Sequence, residues 1–221
     1  QLYVWDYTTN FADYLYPFPN VHVLQENIRT FRANKVKSLF EQGAYQGRHA
    51  DFAELKTWLI AKWMWNPELP KEELLDRFFR GYYGAAAKVV RKYFDGLHAL
   101  SREGAVGNPL SIYESAYSPL LPDAFLERAA GMWDEAERLV KDDPVRSYNV
   151  RMGRFSHRYA RLEMLRHKLG TLEKMRADPA LVALTKEMLA DIDAARGPVL
   201  LREHVGRSEE QLKAWRAIVG K

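Results

Sequence analysis

Tyr3-Val4-Trp5-Asp6-Tyr7-Thr8-Thr9-Asn10-Phe11 and Val36-Lys37-Ser38-Leu39-Phe40-Glu41-Gln42-Gly43-Ala44-Tyr45 decide the fold. Each is an apolar, strand-like run ending in aromatic and carboxylate or amide side chains. Leu2 to Trp5 and Val36 to Phe40 read as strands. Between them one helix-length segment, Val23 to Asn34, places Leu24, Ile28 and Phe31 at i, i+4 and i+7, with Asn34 as a left-handed stop. A crossover of about thirty residues with a helix inside it joins parallel strands rather than a hairpin. The C-terminal ends of parallel strands are where α/β enzymes gather binding groups.

Outward from these strands, the segments Asp6 to Asn20 and Gly43 to Ala50 read as loops, and loops at strand ends carry function. Asp51-Phe52-Ala53-Glu54 has capping-box spacing. It opens a helix with Phe52, Leu55, Leu59, Ile60 and Trp63 on its apolar side. From Trp65 onward the pattern is helical. Pro70 suits a first helical position, and Leu74, Leu75, Phe78 and Phe79 form the buried face. Gly81 and Gly84 punctuate it, and residues 101–121, broken by Gly104, Gly107, Pro109 and Pro119, form a linker or lid. Further helices are expected over Pro122–Lys141, Pro144–Arg176, Pro179–Arg196 and Glu209–Val219. Asp143-Pro144 and Asp178-Pro179 mark two starts, and Ser208 to Gln211 is a capping box. The expected fold is mainly α with a small α/β part. It divides into residues 1–66, two βα units, and residues 67–221, an α-helical C-terminal domain. Two strands cannot close a barrel by themselves, and the chain enters its first strand almost at Gln1, so it reads as a piece of a longer polypeptide.

Composition narrows the class. With 47% hydrophobic and 13% aromatic residues over 221 positions, the chain can bury a substantial core. The net charge of +4 is interleaved along helices rather than blocked, which argues against nucleic acid as a partner. There is no cysteine, so neither disulfides nor thiolate metal sites arise. No apolar run approaches the ~20 residues that a membrane span needs. The histidines follow no metal-ligand spacing, and no phosphate-binding glycine loop or nucleophile elbow occurs, so neither metal nor cofactor is expected.

Aromatic rings beside carboxylates and amides are the side-chain set that holds a sugar: rings cover C–H faces, and Asp, Glu, Asn and Gln pair hydroxyls. The candidate substrate-binding residues are therefore Trp5, Asp6, Tyr7, Asn10, Glu41, Gln42 and Tyr45. Asp6 and Glu41, each just past an apolar strand, lead this set, with catalysis as their secondary reading. Asn10, Gln42 and Tyr45 also suit turn or surface roles. Trp58, Trp63 and Trp65 suit helix packing, and Trp133, Tyr148 and Tyr159 suit a helical core. The acidic pairs Glu72-Glu73, Asp142-Asp143 and Glu209-Glu210 read as helix-start residues that favour the dipole.

Trp5-Asp6-Tyr7-x-x-Asn10-Phe11, Phe40-Glu41-Gln42-Gly43, Glu54-Leu55-x-x-Trp58-Leu59-x-x-Lys62, Trp65-Asn66-Pro67 and Phe79-x-Gly81-Tyr82-Tyr83-Gly84 together resemble bacterial endo-β-N-acetylglucosaminidases of glycoside hydrolase family 163. The architecture also looks like that of families 20 and 67. The resemblance covers about residues 2 to 97. It implies the seventh and eighth strands of a (β/α)₈ (TIM) barrel followed by helices. It also implies an N-acetylglucosamine-containing glycan as substrate and a secreted or periplasmic location. In such enzymes the acid pair lies at the end of the fourth strand, so the resemblance places no catalytic residue in this chain. It assigns orientation of the acetamide to Asp6 and Tyr7, and hydroxyl binding to Glu41. The remainder of the polypeptide is then a partner, and a homodimer is a further one. A helical interaction or dimerisation domain, with the strands as a structural remnant, is the competing reading.

Overall fold

A computed structural model of the chain describes residues 1–104, 110–113, 116 and 120–220. Strand β1 (Leu2–Tyr7) leads through a long loop to helix α1 (Val21–Ala33), strand β2 (Val36–Gln42) and helix α2 (Ala53–Trp65). The strands pair in parallel, with Val4 opposite Leu39, Trp5 opposite Phe40 and Asp6 opposite Glu41. Both run further than the apolar pattern suggests: Asp6 and Tyr7, expected to open the first loop, end β1, and Glu41 and Gln42 end β2. Asn34 is not the left-handed residue that ends α1. Its φ is −86°, and Lys35 takes the positive φ of 59° instead.

The rest of the described chain is helical: α3 (Lys71–Tyr83), a short 3₁₀ turn at Gly84–Ala86, α4 (Ala87–Gly104), α5 (Asp123–Leu139), α6 (Pro144–Gly153), α7 (Phe155–Leu169), α8 (Leu172–Ala177), α9 (Pro179–Ala194) and α10 (Val205–Ile218). The protein is thus mainly α with a small α/β part. Gly84, at φ 56°, permits the backbone reversal between α3 and the 3₁₀ turn. The expected continuous helix over 144–176 is broken at Arg154 and again at Gly170, whose φ is 74°. Asp143 and Asp178 cap α6 and α9 through their side chains, each followed by proline in the first turn. Ser208 is not a cap. Helix α10 has already begun at Val205, and the Ser208 hydroxyl accepts from the Leu201 amide at 3.0 Å. Of the expected linker or lid, Ser101–Gly104 belong to α4, while Gly107, Pro109 and Pro119 lie outside the described residues.

One apolar cluster runs from Leu15 and Leu24 through Trp63, Phe79 and Trp133 to Trp215 and Ile218, so a single core spans both sides of position 66. Trp63, Trp133 and Tyr159 are core residues, as their helical faces imply. Trp65 is not, at 91% exposed. Tyr148 is only half-buried, and its hydroxyl accepts from the Arg196 amide and meets His49 Nε2 at 3.1 Å.

The loop after β1 is the fold's tie. Thr8 to Asn20 are buried apart from Ala12, although few of these residues sit in regular structure. Their backbone groups are satisfied by distant segments: Phe11 N–H by Ile112, Tyr14 N–H by Leu201, and the Tyr14 carbonyl by Asp51 N–H. Inside it, the buried Asp13 carboxylate accepts from the Tyr159 hydroxyl and from Arg202 Nη2. Burial raises the Asp13 carboxyl above its usual range, and those two donors oppose the rise.

Candidate functional site

Strand alternation sorts the side chains of β1 and β2 onto two faces. Leu39 packs against the helical core, and it lines a recess of about 230 Å³ together with Ile28, Phe31 and Trp63. Its face, with Val4, Asp6 and Glu41, therefore meets the helices. The opposite face carries Tyr3, Trp5, Tyr7, Phe40 and Gln42 and is uncovered. Tyr3 is 68% exposed, Trp5 63% and Phe40 55%. Both outer edges of the ribbon are unpaired among the described residues. Such a face is an unusual amount of aromatic surface to leave in water.

On the uncovered face the candidate residues form a unit. The Trp5 indole meets Phe40 edge-on at 4.9 Å between centroids, and Trp5 Nε1 donates to Gln42 Oε1 at 2.6 Å. Tyr7 lies edge-on to Phe11 and borders a recess of about 300 Å³ whose wall includes Asn20, His22 and Ser101. The indole plane is thus oriented by a hydrogen bond while its ring stays accessible, which suits stacking on a sugar C–H face.

Asp6 and Glu41 sit side by side on the other face. Asp6 Oδ1 accepts from the Tyr7 amide at 2.8 Å. Glu41 Oε1 is buried and accepts no hydrogen bond from a described residue. Burial, and then the negative charge of Asp6, push the Glu41 carboxyl up to about 7. No lysine or arginine among the described residues forms an ion pair with either carboxylate. Glu41 is a carboxylic acid poised to hold or release a proton near neutrality.

Asn10 and Tyr45 stand apart from this unit. Asn10 is fully buried, and its Oδ1 accepts from the amides of Ala12 and Asp13, organising the tie loop. Tyr45 is exposed, and its hydroxyl donates to Glu203 at 3.3 Å. It borders a second recess of about 240 Å³ just past Gln42, walled by Thr8, Thr9, Gly43, Asp51 and Lys56.

Asp51 and Lys56, which line this recess, are not among the sequence candidates. The spacing from Asp51 to Glu54 reads as a cap, yet α2 starts at Ala53 after a left-handed Phe52, with no side-chain cap. Asp51 turns inward, and its Oδ2 accepts from the Phe18 amide at 2.9 Å and faces Lys56 Nζ at 3.5 Å. The signal was present: Lys56 interrupts the apolar stripe between Leu55 and Leu59, and it is only 4% exposed. A buried ammonium requires a partner, and that partner is the residue read as a cap. Among the described residues no cluster of ligating side chains fits a metal ion, and no helix is long and apolar enough to cross a membrane.

Fold and site define a mostly helical protein with a βαβα unit whose strand ends present an aromatic strip, a carboxylate pair and two polar recesses. A family model described as a domain of unknown function (DUF4838) matches residues 1–95, which hold both strands, α1 to α3 and the first half of α4. No curated protein and no solved structure gives a significant match.

Proposed function

We propose that this chain is the C-terminal portion of a glycoside hydrolase acting on N-acetylglucosamine-containing glycans, and that β1 and β2 are the last two strands of a (β/α)₈ barrel. The observation that carries the reading is the uncovered ribbon face, with Trp5, Tyr7, Phe40 and Gln42 together at the C-terminal ends of parallel strands. In a closed barrel that face points inward, and the strand ends form part of the mouth. Trp5 and Tyr7 stack on the sugar, and Gln42, held by Trp5, pairs a hydroxyl. Asp6 and Glu41, side by side at the strand ends, bind hydroxyls at the rim. The proton donor that cleaves the glycoside comes from an earlier strand, and a glycan substrate of this kind places the enzyme in the periplasm or outside the cell. Titrating the 221-residue chain with N,N′-diacetylchitobiose tests the binding role. Weak affinity, on the order of mM, is expected from one wall of a cleft. It should be lost in Trp5→Ala, with the fold intact because that side chain is exposed. An unbound sugar, or undiminished binding by Trp5→Ala, rejects the reading.

The unpaired ribbon edges favour a second reading, a dimerisation element that pairs strand to strand. Sedimentation analysis decides it: a dimer dissolved by Tyr3→Lys supports this alternative, and a monomer at all concentrations removes it.

A further inference from the structure

Helices α3 and α4 carry charges that contacts among the described residues leave unbalanced. On α3, Glu72, Asp76 and Arg80 stand at i, i+4 and i+8; on α4, Lys88, Lys92 and Asp95 stand at i, i+4 and i+7. Arg91 lies over the rings of Phe79 and Phe94, at 5.7 and 5.9 Å, and donates to Glu72, Asp76 and Asp95. One guanidinium against three carboxylates leaves two negative charges uncompensated at that end of the helix pair. Arg80 and Lys88 flank the 3₁₀ turn at the other end, with Lys92 one turn further along α4. All three are exposed and form no ion pair with a described residue. A groove of about 410 Å³ joins the two ends, with the buried Phe79 and Ala87 as its floor. None of these residues lines the recesses beside the strand ends.

The helix dipole accounts for the order on α3, with acids in the first turn and Arg80 in the last. It does not account for α4. Lys88 stands in the first turn, the end that disfavours a cation, and Lys92 repels it from one turn away. A purely acidic partner would match these cations and meet the uncompensated acids with like charge; a purely basic partner would do the reverse. A second copy of this chain carries both ends at the right spacing. We infer that the α3–α4 groove is a homodimer face, on which two copies pack antiparallel about a two-fold axis, the cationic end of each on the acidic end of the other. With the axis level with Asp76, Glu72 of one copy meets Arg80 of the other, and Lys88 meets Asp95. The aliphatic stems of Arg80 and Lys88 cover the facing groove floor, and their charged heads reach the carboxylate oxygens that Arg91 leaves open. At 13 residues α3 is about 20 Å long, so the face is small and the dimer reversible, with a dissociation constant on the order of 100 µM at low salt. This inference stands apart from the glycan reading and from pairing at the ribbon edges.

Charge exchange between two variants tests the face and its symmetry together. Sedimentation equilibrium of the 221-residue chain at low salt should show monomer and dimer, with the dissociation constant rising about tenfold or more in concentrated salt. Lys88→Glu with Lys92→Glu makes both ends acidic, and Glu72→Lys with Asp76→Lys makes both ends basic. Each double variant alone should be monomeric. An equimolar mixture, with one partner fluorescently labelled, should form a heterodimer about as tight as the wild-type dimer, because both ends of the pair are complementary again. All four positions are exposed, and Arg91 keeps Asp95 in every variant, so the folds should survive, as circular dichroism would show. Tyr3→Lys should leave the dimer intact. A wild-type chain that stays monomeric up to about 500 µM at low salt overturns the inference. So does a dimer that persists in either double variant, one that Tyr3→Lys dissolves, or a mixture that stays monomeric.

Discussion

Glu41→Gln isolates the electrostatics of the strand ends. In the folded chain the Glu41 carboxyl is pushed from 4.5 up to about 7, chiefly by burial and secondarily by Asp6. Folded protein therefore holds this proton more tightly than unfolded protein does, and unfolding releases it anywhere between those two values. Stability contributed by protonated Glu41 is complete below about pH 4.5, declines as pH rises, and is lost above about pH 7. Carried in full over the 2.5 units between 4.5 and about 7, the change would be about 3.5 kcal/mol at about 1.4 kcal/mol per pH unit. The group is only half-buried and partly screened by water, so about 1–2 kcal/mol is expected. Urea unfolding of wild type and Glu41→Gln, followed by tryptophan fluorescence from pH 4.5 to 8.5, measures it. The two proteins should be nearly equal in stability at pH 4.5. The variant should gain about 1–2 kcal/mol over wild type by pH 8, since glutamine never ionises. A carboxyl ¹³C titration of Glu41 should show a midpoint near 7. Stability curves that stay parallel across the range would refute the argument. So would a variant less stable at pH 8, which would mean that ionised Glu41 has a stabilising donor.

Three further outcomes test the packing that positions the site. Tyr159→Phe removes the hydroxyl that donates to Asp13 and accepts from Gln211 Nε2 at 3.0 Å. It should cost about 2–3 kcal/mol in urea unfolding, and it should loosen the tie loop, seen as faster amide exchange at Phe11 and Tyr14. Asp143→Ala removes acceptors for the Val145 and Arg146 amides and should cost about 1 kcal/mol, with Asp143→Asn recovering most of it. In Gly153→Ala a new Cβ would stand 3.0 Å from the Tyr83 hydroxyl and 3.1 Å from the Trp133 ring, so a loss of about 1–3 kcal/mol in thermal or urea unfolding is expected.

Local chemistry determined much of this protein. The apolar runs at Leu2 and Val36, separated by a helix-length segment, specify a parallel pair, because no short turn links them. Asp-Pro pairs at 143 and 178 specify helix starts, because cap and first-turn proline act within four residues. The helical faces of Trp63, Trp133 and Tyr159 follow from spacing alone. Tertiary structure decided the rest. Alternation shows that Trp5 and Asp6 point to opposite faces, but which face is covered depends on where α1 and α2 pack. That packing separates Trp5, Tyr7 and Gln42 from Asp6 and Glu41. Asn10 reads as a strand-end amide in the sequence and is a buried organiser of the tie loop in the fold. Asp51 reads as a cap until Phe18, 33 residues earlier, supplies the amide that turns it inward. Asp13 has its hydroxyl partner 146 residues away. Patterns of neighbours report on the backbone's own hydrogen bonds, whereas a buried charge is set by whichever distant group reaches it, and only the assembled core determines which one does.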